Sequence, residues 1–399
     1  MVMTAYTPTT TAPVINSIPV LMTAPTNTPR LNYNPNTGKP LGLLVEMGRT
    51  NLLTYSQLFS NVAWSITNTS LTSAANIAPD STITVFNLVD TATTGLHAIS
   101  QTVTKAASAI AYTASVYFKA NQRTYSWLQI SDGVGNGAIV YFNLSTGVIS
   151  TAVAGVGTAF TGLAANITLV GNGWYICTIT GTSNTATSIV TQFGSSVDGN
   201  SNSFTGNNYS GIYIWGAQLE AGAFATSYIP TVSSTVTRNA DAASITGTNF
   251  SSWYNNSQGT FYVDFQGAGG GPTAVGYGRI IGYGSSSAFL SFANATYVIN
   301  TFNDTTGGAY QIVLPSADYW KAGGKAAMSY NLTSRTITII GNGVLQATVS
   351  NNAATPRNNV ASISIGSNIG GSNMTSMHIR TLSYYRKELS SSNLQALTS

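Results

Sequence analysis

The side chains most used in acid–base, nucleophilic and metal chemistry are sparse in this sequence, with 11 Asp and Glu, two His and one Cys among 399 residues. Catalysis needs such groups to converge, and here they are scattered. Cleaving a glycosidic bond takes two carboxylates about 5–10 Å apart, yet the nearest acidic pair in the chain is Asp80 and Asp90. His97 and His378 fall in different halves, so a Ser–His–acid arrangement would need a site between domains. No Cys/His spacing suits zinc. Cys177, the only cysteine, cannot form an intrachain disulfide. Alternation in GWYICTIT sets it beside Tyr175 and Ile179 on one strand face, opposite Trp174 and Ile176, as a buried, inert thiol. No residue is assigned a catalytic role, and the chain is not expected to be an enzyme.

Binding chemistry is better represented. Aromatic rings stack on sugar rings while Asn, Gln and Asp satisfy the hydroxyls. The candidates are Tyr125, Trp127, Trp253, Tyr254 and Trp320, with Asn303 and Asp318 near in sequence. Against this stands the habit of strand aromatics to fill cores. Trp253–Tyr254, in NFSSWYNNSQG, has Asn, Ser and Gly on both sides and reads as a loop. Calcium prefers oxygen ligands, and NDTTGG from Asn303 to Gly308 could supply some or could be a hairpin turn. No other cofactor is expected.

The elements that must position these groups are strands. Charged residues are 7% of the chain, against about 25% in an ordinary soluble domain. Apolar and aromatic residues reach 43%, enough for cores, so this is not the composition of a disordered chain. No run of about 18 apolar residues occurs, and no membrane span is expected. Polarity comes instead from Ser, Thr, Asn, Gln and 39 Gly, which with 21 Tyr favour strands and tight turns. No Lys or Arg lies between Arg123 and Arg238, so the basic stripe of a nucleic-acid binder is missing. The N-terminus has no cation before Arg30, and Pro19 interrupts its apolar stretch, unlike a secretory signal.

Residues 1–45, rich in Pro, Thr and Asn, read as extended. GRTNLLTYSQLFSNVAW offers a short helical turn with Ser56 as N-cap. Short alternating segments follow: AYTASVYFKA, YSWLQIS, GAIVYFNLSTGVIS, GWYICTIT and SGIYIWGAQLE. This spacing of strands and turns predicts an antiparallel sandwich. NLSTG at Asn143 to Gly147 reads as a hairpin turn. Pro230 and a Ser/Thr run then mark a boundary near residues 232–246. A second set of strands includes AAMSYNLTSRTITIIGNGVLQATVS, where GNG at 341–343 suits a tight hairpin. ELSSSNLQALTS predicts a Ser-capped helix with Leu394 and Leu397 on one face.

Two strings resemble a signature of tailed-bacteriophage virion appendages. The first runs through Arg30, Tyr33, Pro35, Thr37, Gly38, Gly42, Leu43, Leu44, Glu46, Arg49, Thr50, Asn51, Leu52, Leu53, Tyr55 and Ser56. The second is WGAQLEAGAFATSYIPT, Trp215 to Thr231. The ending SYYRKELSSSNLQALTS is similar to the close of a concanavalin A-like, laminin-G-like sandwich in such proteins. The resemblance implies a tail fibre, tail spike or head fibre: a homo-oligomer, as a trimer, exposed on the virion, whose sandwiches could touch host-surface glycans.

The expected architecture is all-β: two antiparallel, jelly-roll-like β-sandwiches behind an extended N-terminal arm. The arm, residues 1–45, would attach to other virion proteins. Residues 46–232 would form a carbohydrate-binding-module-like sandwich, 233–244 a linker, and 245–399 the laminin-G-like sandwich. In the second string, Trp215 would cap the sandwich edge, and Gln218 and Glu220 would tie back a Gly-Ala crossing that ends at Pro230. The expected function is adhesion to host-surface glycans by a structural virion part. The alternatives are a purely architectural capsid fibre or decoration protein, and a spike enzyme that degrades polysaccharide. Neither nucleic-acid binding nor membrane insertion is expected.

Overall fold

The computed structural model describes residues 5–6, 12–15, 20–25, 28–35, 37–157, 160–268, 277–283, 287–293, 298–303, 309–313, 323–350, 360–367 and 376–399. The fold is all-β, and its ladders pair antiparallel.

The first sandwich has two six-stranded sheets. One runs in the order Val148–Val156, Gly137–Asn143, Tyr125–Ser131, Ser188–Ser196, Ala98–Thr104, Ser65–Thr67. The other runs Thr161–Gly171, Trp174–Thr182, Ala111–Ala120, Gly211–Ala221, Phe86–Asp90, Thr69–Ser73. Period-two alternation sends Leu128, Ile130 and Phe193 from the first sheet against Val116, Phe118, Cys177 and Ile179 from the second. The Cys177 thiol is buried and its pKa pushed up by burial, as an inert core thiol would be. The second sheet is covered on its outer face too, where Tyr117, Trp174, Trp215 and Tyr228 gather with Leu21 and Val85. Burial on both faces explains why Ala111–Ala120 is almost continuously buried rather than alternating.

The second sandwich has two seven-stranded sheets, with Phe261, Val263, Met328 and Ile339 of one packed on Ile245, Ile281 and Ile363 of the other. The first sheet runs Val344–Ser350, Thr336–Gly341, Gly324–Asn331, Gln258–Gly267, Met377–Tyr385, Pro40–Val45, Leu31–Tyr33. Its last two strands come from residues 1–45, expected as an extended attachment arm; here they are extended but lie within the sheet. Leu43 pairs with Ile379 and Val45 with Met377. Further upstream, Ala5–Tyr6 pairs with Ala243–Thr246 in the other sheet, and Ala12–Ile15 forms a hairpin with Leu21–Ala24. The stretch 233–244 is not a bare linker either, because Val236–Arg238 pairs with Arg49–Asn51.

No helix forms over 48–64. Three successive turns replace it, with Leu58 N donating to Tyr55 O, Asn61 N to Leu58 O and Trp64 N to Asn61 O. Both hairpin turns are present, the second with Asn342 at φ 44° and Gly343 at 74°. The helix Ser391–Thr398 forms as read, capped by Ser390, with Leu394 buried. Among the described residues no helix is long and apolar enough to cross a membrane.

Candidate functional site

Four ionic side chains of this charge-poor chain meet at a buried seam. Arg30 Nη1 donates to Glu46 Oε2 at 2.6 Å, and Arg30 Nη2 donates to Asp241 Oδ2. Glu46 N donates to Asp241 Oδ2 at 2.8 Å, and Ser227 N to Glu46 Oε1 at 3.0 Å. Arg238 Nη2 lies 3.5 Å from Glu46 Oε2 and donates to Met47 O at 2.9 Å. All four charged side chains are buried. Burial would raise the Glu46 pKa, but the guanidinium groups of Arg238 and Arg30 outweigh it and hold the value at about 2. Alongside, Asn32 Nδ2 lies 2.9 Å from His378 Nε2. An amide nitrogen can only donate, so His378 is the neutral acceptor here. Burial lowers its pKa to about 4.

The two signature strings meet at the same place. Asn51 Nδ2 donates to Ala217 O and Ile229 O, while its Oδ1 accepts from Leu219 N and Leu53 N. Gln218 Oε1 accepts from Ile229 N at 2.7 Å, and Glu220 Oε2 from Thr226 N at 2.9 Å. Ser56 Oγ and Tyr228 Oη are 2.7 Å apart. Gly222 passes so close to the Arg49 guanidinium that a Cβ would lie 2.6 Å from its Nη2. The bland Gly-Ala stretch is therefore a close crossing fastened by amides, as its sequence suggested. Trp215 does not cap an edge. It is enclosed between Tyr117 and Tyr228, with ring centroids 5.1 and 4.9 Å away.

The aromatic candidates lie in two separate places. Tyr125 and Trp127 share the outer face of the first sandwich, two residues apart on one strand. Trp127 is 0% exposed, packed with Ala98 and Tyr141, and its Nε1 has no hydrogen-bond partner among the described residues. Tyr125 is half-buried under Gly199, where a Cβ would meet its ring at 2.6 Å. In the second sandwich Trp253 and Tyr254 follow a one-turn helix, Thr248–Ser251. Tyr254 is buried and stacks on Phe250 at 4.5 Å. Trp253 is half-buried against Phe250 and Tyr384, and its Nε1 donates to Asn249 O. Trp320, Asp318 and Asp304–Gly308 of the calcium candidate lie outside the described residues. Among the described residues no group of three or more His, Cys, Asp or Glu is placed to hold a metal ion.

A groove of about 350 Å³ on the first sandwich was not anticipated. Tyr55, Gln57, Leu58, Thr84 and Val232 line it with Ile83, and Phe86 forms part of the floor. Ile83 and Val232 are 73% and 72% exposed, and Leu58 46%. Tyr55 has φ 51°, the left-handed region where a side chain costs about 1–2 kcal/mol. Its backbone is pinned there, N donating to Val232 O at 2.6 Å and O accepting from Trp64 Nε1 at 3.1 Å. The only signal in sequence is a spacing of two, Asp80, Thr82 and Thr84, which the structure links in a hydroxyl chain. A second, shallower groove of about 300 Å³ beside Asp264, Lys325 and Arg380 contains an ion pair, Arg380 Nη2 to Asp264 Oδ1 at 2.6 Å, that already satisfies its own charges.

No protein-family model matches this sequence, and no curated protein matches it. Solved structures give low-level similarity. The CBM40 of the Ruminococcus gnavus IT-sialidase is 16% identical over 40% of this chain and 93% of that one, with TM-score 0.31. A structure described as a receptor binding domain is 15% identical, over 40% of this chain and 39% of that one, with TM-score 0.32. The binding domain of botulinum neurotoxin DC in complex with SialylT is 15% identical over the same shares, with TM-score 0.31. Likeness at this level assigns no ligand.

Proposed function

We propose that this chain is a structural, adhesive appendage protein that binds glycans on a cell surface, exposed on a tailed-phage particle as a homo-oligomer. The observation that carries the adhesive reading is the open groove on the first sandwich, lined among the described residues only by neutral side chains. Sites for small ligands are concave, mostly apolar and furnished with a few polar groups, and this groove has that composition. The virion setting rests on the resemblance of Arg30 to Ser56 and Trp215 to Thr231. Those residues fasten the two sandwiches to each other, a mechanical duty that suits a fibre or spike. Contact with other virion proteins would fall to the hairpin Ala12–Ile15 with Leu21–Ala24, which itself packs on the first sandwich through Leu21, because residues 31–33 and 40–45 are used within the second sandwich.

The purely architectural reading draws support from the same seam, which would serve a part that only holds neighbours together. The test is retention of the full-length chain on a glycan array, with its native mass measured in parallel. Binding to defined glycans by an oligomer is expected. An oligomer that assembles but retains no glycan would favour the architectural part.

A further inference from the structure

Resting on the glycan reading, we infer that the groove beside Tyr55 is a saccharide subsite that selects neutral, hydroxyl-bearing rings and rejects acidic ones. Three features support this.

The first is the wall. Ile83, Val232 and Leu58 are aliphatic and largely exposed at the groove, and the half-buried Tyr55 completes the apolar lining. A pyranose presents C–H groups on one face and hydroxyls around its rim. Such a wall covers the C–H face and leaves the rim for hydrogen bonds.

The second is the polarity of Thr84. Thr82 Oγ1 donates its one proton to Asp80 Oδ1 at 2.6 Å. The 2.6 Å contact between Thr82 Oγ1 and Thr84 Oγ1 must then be donated by Thr84. Thr84 Oγ1 also accepts from Trp215 Nε1 at 3.0 Å. Its proton is committed and one of its lone pairs is used, so it offers the groove an acceptor and no donor. A sugar hydroxyl can donate to it, whereas an ionised carboxylate cannot. The Asp80 charge behind the chain of hydroxyls adds repulsion to an anion. Among the described residues no cation lines the groove to offset it.

The third is the backbone of Tyr55. Glycine or asparagine would adopt φ 51° more readily, yet the position carries a tyrosine that lines the groove and packs against the core beneath it. Strain of this kind gathers at sites that need one side chain held in one place.

The test uses the full-length chain and its Ile83→Ser, Tyr55→Asn and Asp80→Asn variants. They are probed with neutral oligosaccharides of glucose, galactose and mannose and with sialyllactose as the acidic counterpart. Ile83 is exposed, so Ile83→Ser leaves the fold intact, and an unchanged urea midpoint checks this. Asparagine tolerates the backbone angle of Tyr55. Binding of a neutral probe should fall by about tenfold or more in Ile83→Ser and Tyr55→Asn, and Asp80→Asn should narrow the preference for neutral over acidic probes. Binding unchanged in both wall variants would overturn the groove as the site while leaving glycan adhesion standing. Equal or stronger retention of sialyllactose by the unaltered chain would overturn the charge selection. Retention of no glycan at all would remove the adhesive reading and this subsite with it.

Discussion

Glu46 shows how a single carboxylate can organise two domains without performing chemistry. Removing one partner of a buried ion pair leaves the other charge poorly compensated, which costs about 3–5 kcal/mol. Glu46→Gln, which strips charge from the carboxylate that Arg30 and Arg238 share, should lower stability by about that amount, read from the urea midpoint at neutral pH. Replacing the whole cluster by packed apolar residues could be neutral, so the seam specifies geometry more surely than it adds stability. His378 gives the pH dependence. Its folded value, about 4, lies below the unfolded value of 6.5, so the unfolded chain takes up the proton first. Its contribution is complete above pH 6.5 and is lost as pH falls toward 4. Glu46 acts in the same direction but lower, between 4.5 and about 2. Urea midpoints measured from pH 7 to pH 4 should fall, and His378→Gln should flatten that slope. At this scale the sequence marked Glu46, Arg49, Asn51 and Glu220 within recognisable strings but not their targets, since the partners lie up to 195 residues away in the case of Glu46 and Asp241.

Elements were legible where alternation and turn residues agreed. The strands around Asn143 to Gly147 and Asn342–Gly343 follow from local chemistry alone. The helical turn at Ser56 did not form, because Ser56 Oγ bonds Tyr228 and Thr231 rather than capping backbone N–H groups of its own turn. The Pro-rich beginning misled for a related reason. Proline removes a ladder donor, yet Pro40 is the first residue of its strand and the neighbouring Leu31–Tyr33 is an edge, the positions where proline and irregularity are tolerated. Gly42 makes this docking possible. With φ 101°, a Cβ there would lie 2.2 Å from Ile379 O. Gly42→Ala should cost about 1–3 kcal/mol from backbone strain alone. Faster amide exchange at residues 377–379 than in the unaltered chain would show that the edge has come away.

For the whole molecule, the sequence indicated two all-β units but placed the boundary as if each were continuous in the chain. Distant pairing leaves no periodic trace, so nothing around Leu31 to Val45 announces its partner near Ile379. A chain beginning at residue 46 lacks Arg30 and three strands of the second sandwich, and should be protease-sensitive across residues 245–399. A chain beginning at residue 20 should resist digestion there. The seam should also make unfolding of the two sandwiches a single calorimetric transition, with Glu46→Gln separating it into two. The same pairing has a consequence for biosynthesis. Asn32 and His378 are 346 residues apart, and at about 5–20 residues per second the first waits roughly 17–70 s on the ribosome for the second. The first sandwich can close while translation continues. The second cannot, so it must complete its sheet after nearly the whole chain has emerged, and until then its unpaired edge depends on whatever shields it in the cell.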